Sequence, residues 1–228
     1  MSPKRERAAV PVPQRLIVLF TIPLAFTGGF LDIYTYLIRG GVFANAQTSN
    51  LIFLGLRLME GDWPQALNYF AQVASYVVGI LVAGVVKRRI GTVGNLHWRQ
   101  IVIFAEFILV TIIGYIPASF PPEPVNVIVA FICSVQVASF DSLEGTSFAT
   151  TMCTGNLRQM GEHILAFVVD KRPGALRGVF KYVAIIVSFV MGAVIGTFFV
   201  AEMQEEAIWI CCYTLFFVLS YLLVMEDG

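Results

Sequence analysis

Eight apolar runs, separated by short clusters of glycine, proline and charge, constrain this chain more than any other feature. They occupy residues 16–38, 44–59, 66–86, 101–118, 125–143, 148–169, 179–201 and 207–225. The breakers between them include Gly40-Gly41, Gly61-Asp62-Trp63-Pro64, Lys87-Arg88-Arg89, Pro121-Pro122, Glu144-Gly145, Lys171-Arg172-Pro173-Gly174 and Gln204-Glu205-Glu206. Each supplies turn chemistry or charge. A helix needs about 20 apolar residues to cross a bilayer, so 228 residues arranged this way leave only short connections. Charged residues make up 13% of the chain, about half the share usual in a soluble domain. Together with a mean hydropathy of +0.78, this reads as an all-α polytopic membrane protein with no room for a soluble catalytic domain. Fifteen Lys+Arg balance fifteen Asp+Glu, so no basic surface points to nucleic acid.

Positive charge predicts orientation. Lys4, Arg5, Arg7, Arg15, Lys87, Arg88, Arg89, Arg99, Lys171, Arg172, Arg177 and Lys181 fall in three stretches, and the loops around Asp62, Glu123 and Glu205 hold no cation. All three basic stretches are expected in the cytoplasm. Eight full crossings would put residues 87–99 outside, so the first two runs together are expected to make one net crossing, and so are the fifth and sixth. Each pair then contains a broken or re-entrant helix. The expectation is six net crossings in the inner (cytoplasmic) membrane, with both termini in the cytoplasm.

The two halves resemble each other. Phe43-Ala44-Asn45-Ala46-Gln47-Thr48-Ser49-Asn50 aligns with Phe148-Ala149-Thr150-Thr151-Met152-Cys153-Thr154-Gly155-Asn156 after one insertion, and Gly41 and Gly145 precede them. The pattern divides the chain into a basic arm (1–15), a first repeat (16–119) and a second repeat (120–228) within one membrane domain. Three net crossings per repeat is an odd number, so the second repeat is expected upside down. Inverted repeats with discontinuous helices are common in secondary transporters, where the site lies between the repeats near mid-membrane.

A helix that starts inside the membrane presents free N–H groups, which Thr or Asn can cap and whose dipole favours an acceptor or anion. Thr48 and Asn50 in one repeat, and Thr154 and Asn156 in the other, are therefore candidate binding residues. Intramembrane acids are costly and mark functional positions. Asp32, after Gly28-Gly29, is the first of these, and Gln136 joins the set. Secondary candidates are Gln47, Asp141, the i,i+4 pair Arg158 and Glu162, and Glu106, which is expected near the membrane interface. Arg39 and Arg57 read as snorkelling side chains, and Tyr34, Tyr36, Trp63, Tyr69 and Trp209 as interfacial aromatics. Gly79 with Gly84, and Gly192 with Gly196, mark close helix contacts within the chain or between protomers. Cys133, Cys153, Cys211 and Cys212 lie in apolar stretches and read as packing residues rather than a disulfide framework.

The residues Gly28-Gly29-Phe30-Leu31-Asp32-Ile33-Tyr34, followed by Gly41-Val42-Phe43 and Thr48-Ser49-Asn50, resemble the opening motif of the YoaK-like family of membrane proteins, a family whose domain has no known function. Gln136 with Phe148-Ala149-Thr150-Thr151 and Thr154-Gly155-Asn156-Leu157 is similar to its second motif. Ser49 stands where the family usually has Gly, and Val137 where Asn often follows the Gln. The resemblance implies an inner-membrane protein and no particular substrate.

The functional expectation is a small secondary transporter or permease for an unknown small solute or ion, with its polar site between the repeats. A channel and a non-transporting scaffold are the alternatives. No metal cluster, nucleotide loop or nucleophile motif is legible, so neither cofactor, metal nor enzymatic activity is assigned. Membrane lipid is the certain neighbour, and six spans make a bundle thin enough that a homodimer is expected.

Overall fold

The computed structural model describes residues 14–89, 92–93, 96–140, 142–143, 146–147 and 153–226. Among these are eight α-helices: α1 Gln14–Ile38, α2 Gln47–Glu60, α3 Trp63–Arg89, α4 Trp98–Ile113, α5 Pro122–Phe140, α6 Cys153–Val168, α7 Ala175–Met203 and α8 Trp209–Glu226. A 3-10 turn, Gln204–Ile208, joins α7 to α8. Two-residue antiparallel ladders pair Thr92–Val93 with Leu96–His97 and Ser142–Leu143 with Thr146–Ser147. Four helical stretches are long and apolar enough to cross a membrane: Leu19–Ile38, Trp63–Arg89, Pro122–Phe140 and Ala175–Val224, the last spanning α7 and α8. The chain is an all-α membrane protein.

The helix boundaries follow the breakers. Gly40 and Gly41, at φ 84° and 76°, end α1 in the left-handed conformation that glycine adopts without strain. Gly61 ends α2 in the same way at φ 72°. Pro122 opens α5, where a missing N–H is no loss. α4 starts three residues ahead of its apolar run because His97 caps it. His97 Nδ1 accepts from Arg99 N at 3.3 Å, and Gln100 Oε1 accepts from His97 N at 2.9 Å.

Two helix pairs form the centre, α1 with α7 and α3 with α5, and both run parallel. Ser188 Oγ donates to Ile22 O at 2.8 Å, and one turn on, Gly192 meets the backbone of Phe26. Ser75 Oγ donates to Val127 O at 2.7 Å, and one turn on, Gly79 meets the backbone of Phe131 and the side chain of Ser134. The same Ser-x-x-x-Gly device therefore makes both crossings, from Ser75-Tyr76-Val77-Val78-Gly79 and from Ser188-Phe189-Val190-Met191-Gly192. Small residues matter here because lipid supplies no hydrophobic drive between helices, and close backbone approach replaces it. α2 packs on α3 and α6 on α7, so each short helix leans on a centre helix of its own half. α4 and α8 pack antiparallel, with Gln100 Nε2 donating to Leu222 O and Trp209 Nε1 to Thr111 O.

Several outward faces are apolar, including Ile52 and Met59 on α2, Leu67 and Leu81 on α3, and Phe180 and Phe198 on α7. Lipid would cover such faces, which water would not tolerate over this area.

Four expectations are corrected. Arg39 does not snorkel: it is fully buried, and its guanidinium donates to Ile116 O at 2.6 Å, Pro117 O at 3.0 Å and Tyr34 Oη at 2.9 Å. The carbonyls beyond the end of α4 supply acceptors that compete with the interface. Tyr34 is consequently buried, its hydroxyl donating to Glu205 O, and Tyr69 is buried beside Phe53; only Tyr36 and Trp63 of the five aromatics are exposed. Nothing approaches Gly84, whereas Gly192 and Gly196 pack within the chain against α1, one of the two arrangements expected of them.

Replacing Gly192 by Val is expected to lower thermal stability in detergent by at least the ~1–3 kcal/mol typical of overpacking. Gly84→Val should stay within about 0.5 kcal/mol of the parent. Equal effects at the two positions would remove the close crossing as the reason for glycine.

Candidate functional site

The site begins with the chain's return after α1. Beyond Gly41 the backbone doubles back along the helix it has just left. Asn45 N donates to Asp32 Oδ1 at 2.7 Å, and Asn45 Nδ2 donates to Gly28 O at 3.1 Å. Those partners lie six and ten residues before Ile38, so the break penetrates about 9–15 Å back along α1. The backbone N–H groups of Ala44 and Ala46 also point at the Asp32 carboxylate. Asp32 thereby collects donors that an irregular segment would otherwise leave orphaned in a low-dielectric interior.

α2 starts from this point, and its first turn is held by amides. Asn50 Nδ2 donates to Phe43 O at 2.8 Å and to Gln47 Oε1 at 3.0 Å, and Gln47 Nε2 donates to Ala44 O at 2.7 Å. Ala46 is the N-cap and carries no capping side chain, so Thr48 does not cap the helix as the motif suggested. Thr48 is exposed instead.

α6 starts with Cys153, and Thr154 and Gly155 follow in its first turn. One cavity of about 850 Å³ is lined by Asp32, Asn45, Ala46, Gln47, Thr48 and Ser49 from the first half and by Cys153, Thr154 and Gly155 from the second. Its apolar wall comes from Gly29, Ile33, Phe43, Tyr76, Phe189 and Ala193. The volume falls in the range of sites that enclose small molecules, and a mostly apolar lining with a few polar groups is their usual composition. Both helix starts face it with their positive dipole ends.

The expected set thus divides. Asp32, Gln47, Thr48 and Thr154 share the cavity. Asn50 is fully buried and works inside the break, and Asn156 is buried at 2% exposure. Gln136 lies elsewhere, donating from Nε2 to Glu106 Oε1 at 2.7 Å. Glu106 is buried at 3% exposure, and the early start of α4 places it two turns inside the helix. Arg158 and Glu162 pair at 2.9 Å on the exposed side of α6 and do not line the cavity. Arg57 pairs with Glu60 at 2.8 Å. Asp141 lies outside the described residues, as do Glu144 and the Phe148-Ala149-Thr150-Thr151-Met152 part of the second motif.

Sequence reasoning missed Asn45, Tyr76, Phe189 and Cys153. Asn45 stood inside the quoted motif and was legible there as the polar residue nearest the break. Tyr76 and Phe189 follow Ser75 and Ser188 directly, so the repeated Ser-aromatic step was the signal for them.

The family profile for a protein of unknown function (DUF1275) matches residues 20–221. The chain is also 24% identical over 196 residues to the UPF0700 transmembrane protein YoaK of Bacillus subtilis (strain 168), a match covering 82% of this chain and 85% of that protein. No solved structure matches.

Asn50→Leu takes the donor from Phe43 O and should cost about 1–3 kcal/mol, the penalty for a buried unsatisfied carbonyl. Thermal unfolding in detergent and faster amide exchange at residues 42–47 are the readouts. Thr48→Val should change neither, and a matching loss at Thr48 would contradict the role given to Asn50.

Proposed function

Because the chain belongs to the DUF1275 family, whose activity is unassigned, we propose a function from the site itself: the protein is a small solute carrier, with the cavity between the starts of α2 and α6 as its binding site. The observation that carries this reading is the cavity shared by both break motifs, with Asp32 in its wall. A scaffold needs no such space, and helix starts inside a membrane tend to persist where they line a wet or solute-filled cavity.

The helix directions support an inverted repeat with six net crossings. The pairing of α1 with α7 is matched by that of α5 with α3, and α2 on α3 by α6 on α7. Residues Ile22 and Phe26 correspond to Val127 and Phe131 at a constant offset of 105, and Ser75 and Gly79 to Ser188 and Gly192 at 113. The antiparallel course of α4 and α8, equivalents in this scheme, is what an in-plane two-fold axis requires. Asn126 Nδ2 bonds Arg39 O, setting the end of α1 beside the start of α5, again as inversion demands. α2 and α6 then return to the side from which each break entered. The ends of α3 and the starts of α4 and α7, with their cations, share one side, and that side faces the cytoplasm under the positive-inside rule.

In this scheme the solute meets two helix N-termini and the Thr48 and Thr154 hydroxyls, with aromatic side chains holding its apolar part. The arrangement suits a solute that brings acceptor oxygens to the helix starts and a donor to the Asp32 carboxyl. The solute leaves chemically unchanged.

Proteoliposomes challenged with a panel of radiolabelled neutral and anionic small solutes should show saturable uptake and counterflow for at least one of them. Asp32→Asn and Thr154→Val should each lower that exchange about tenfold, the equivalent of ~1.4 kcal/mol in binding. Conductance without counterflow would replace the carrier by a channel, and variants that alter stability without altering flux would replace it by a scaffold.

A further inference from the structure

Glu106 is placed unlike any other acid among the described residues. It sits two turns into α4, between α3 and α5, at 3% exposure. Its Oε1 accepts one hydrogen bond, from Gln136 Nε2, and its Oε2 is buried with no hydrogen-bond partner. Beside it is a second cavity of about 150 Å³, separate from the solute cavity, walled by Val82 and Val86 of α3, Ala105 and Leu109 of α4, and Phe131 and Val135 of α5. Among the described residues, no cation acts on the carboxyl. The polar groups that do are Gln136 and Cys133 from α5 and Cys211 from α8, while α3 offers only apolar side chains.

A carboxylate in such surroundings has one neutral donor for two oxygens that together can accept four hydrogen bonds. Burial of an ion without a counter-charge is among the most unfavourable arrangements available to a side chain, and mid-membrane acids persist chiefly as parts of proton and ion pathways. A single proton on Oε2 removes the charge and leaves the Gln136 bond intact. The cavity alongside is lined by Glu106 itself, so water admitted there would meet the carboxyl and could take that proton.

We propose that Glu106 is a proton-binding site within the membrane: Oε2 carries a proton in this conformation and releases it to water admitted through the α3–α4–α5 cavity. The step is a simple dissociation, with the electron pair staying on the carboxylate and the proton passing to the entering water.

Dicyclohexylcarbodiimide, an apolar electrophile that takes the proton of a buried carboxyl and then adds its oxygen, tests the proton site directly. Reaction with the full-length protein in lipid, followed by proteolysis and mass spectrometry, should place the adduct on Glu106. The infrared spectrum should contain a protonated-carboxyl band that shifts in heavy water and disappears in Glu106→Gln. If that variant does not fold, adduct mapping on the parent protein decides alone. An adduct confined to other acids, or an infrared band unchanged in a folded Glu106→Gln, overturns the proposal. Both readouts are independent of flux, so a failed carrier assay leaves them standing. Counterflow that persists in a protein whose Glu106 takes no adduct overturns the proton site and leaves the carrier.

Discussion

The structure depends on how the chain leaves the helical state after α1 and folds back along that helix. Every backbone N–H released at a break needs an acceptor, and hydrocarbon provides none. Here one carboxylate provides it: Asp32 takes the N–H of Asn45 at 2.7 Å and faces those of Ala44 and Ala46. Asn50 closes the other side by donating to the carbonyl of Phe43. The acid that first looks like a substrate ligand is thus also the cap of the break. Held by its own backbone, that carboxylate is fixed in place at the cavity wall.

The second constraint is proximity. α1 and α7, like α3 and α5, approach closely enough for a glycine to lie against the opposite backbone. Interhelical hydroxyl bonds such as that from Ser188 to Ile22 contribute only about 0.6 kcal/mol each on average, so geometry rather than bond strength gives the crossing its specificity. The close pairs hold the centre of the bundle, and the short helices α2 and α6 lean against it with their starts at the cavity. Arg39 fastens the far end, since its guanidinium gathers carbonyls beyond α4 and a tyrosine hydroxyl while its own carbonyl receives Asn126.

Much of this was legible from sequence because membrane helices advertise themselves. The run at 179–201 became α7, Ala175–Met203, and the glycine pair after Ile38 became the end of α1. Burial of charge was not legible. Arg39 and Glu106 both stand near the ends of apolar runs, where snorkelling is the ordinary expectation. What buried them came from elsewhere in the chain: carbonyls of Ile116 and Pro117 for one, the amide of Gln136 and an early helix cap at His97 for the other. Asn50 and Thr48 show the same limit within a single motif, since only the fold decides which of two polar residues ties the break and which faces the cavity.

The central claim is that the two helix starts meet at a space that water and small solutes can enter. Cys153 lines that space, whereas Cys133 and Cys211 are buried away from it. With Cys133, Cys211 and Cys212 replaced by Ala, a charged, membrane-impermeant thiol reagent applied to the protein in lipid should modify Cys153, and Thr154→Trp should block the reaction by filling the cavity. A Cys153 that resists the charged reagent in the folded protein but reacts once it is denatured would mean that the space is dry, and would contradict the account.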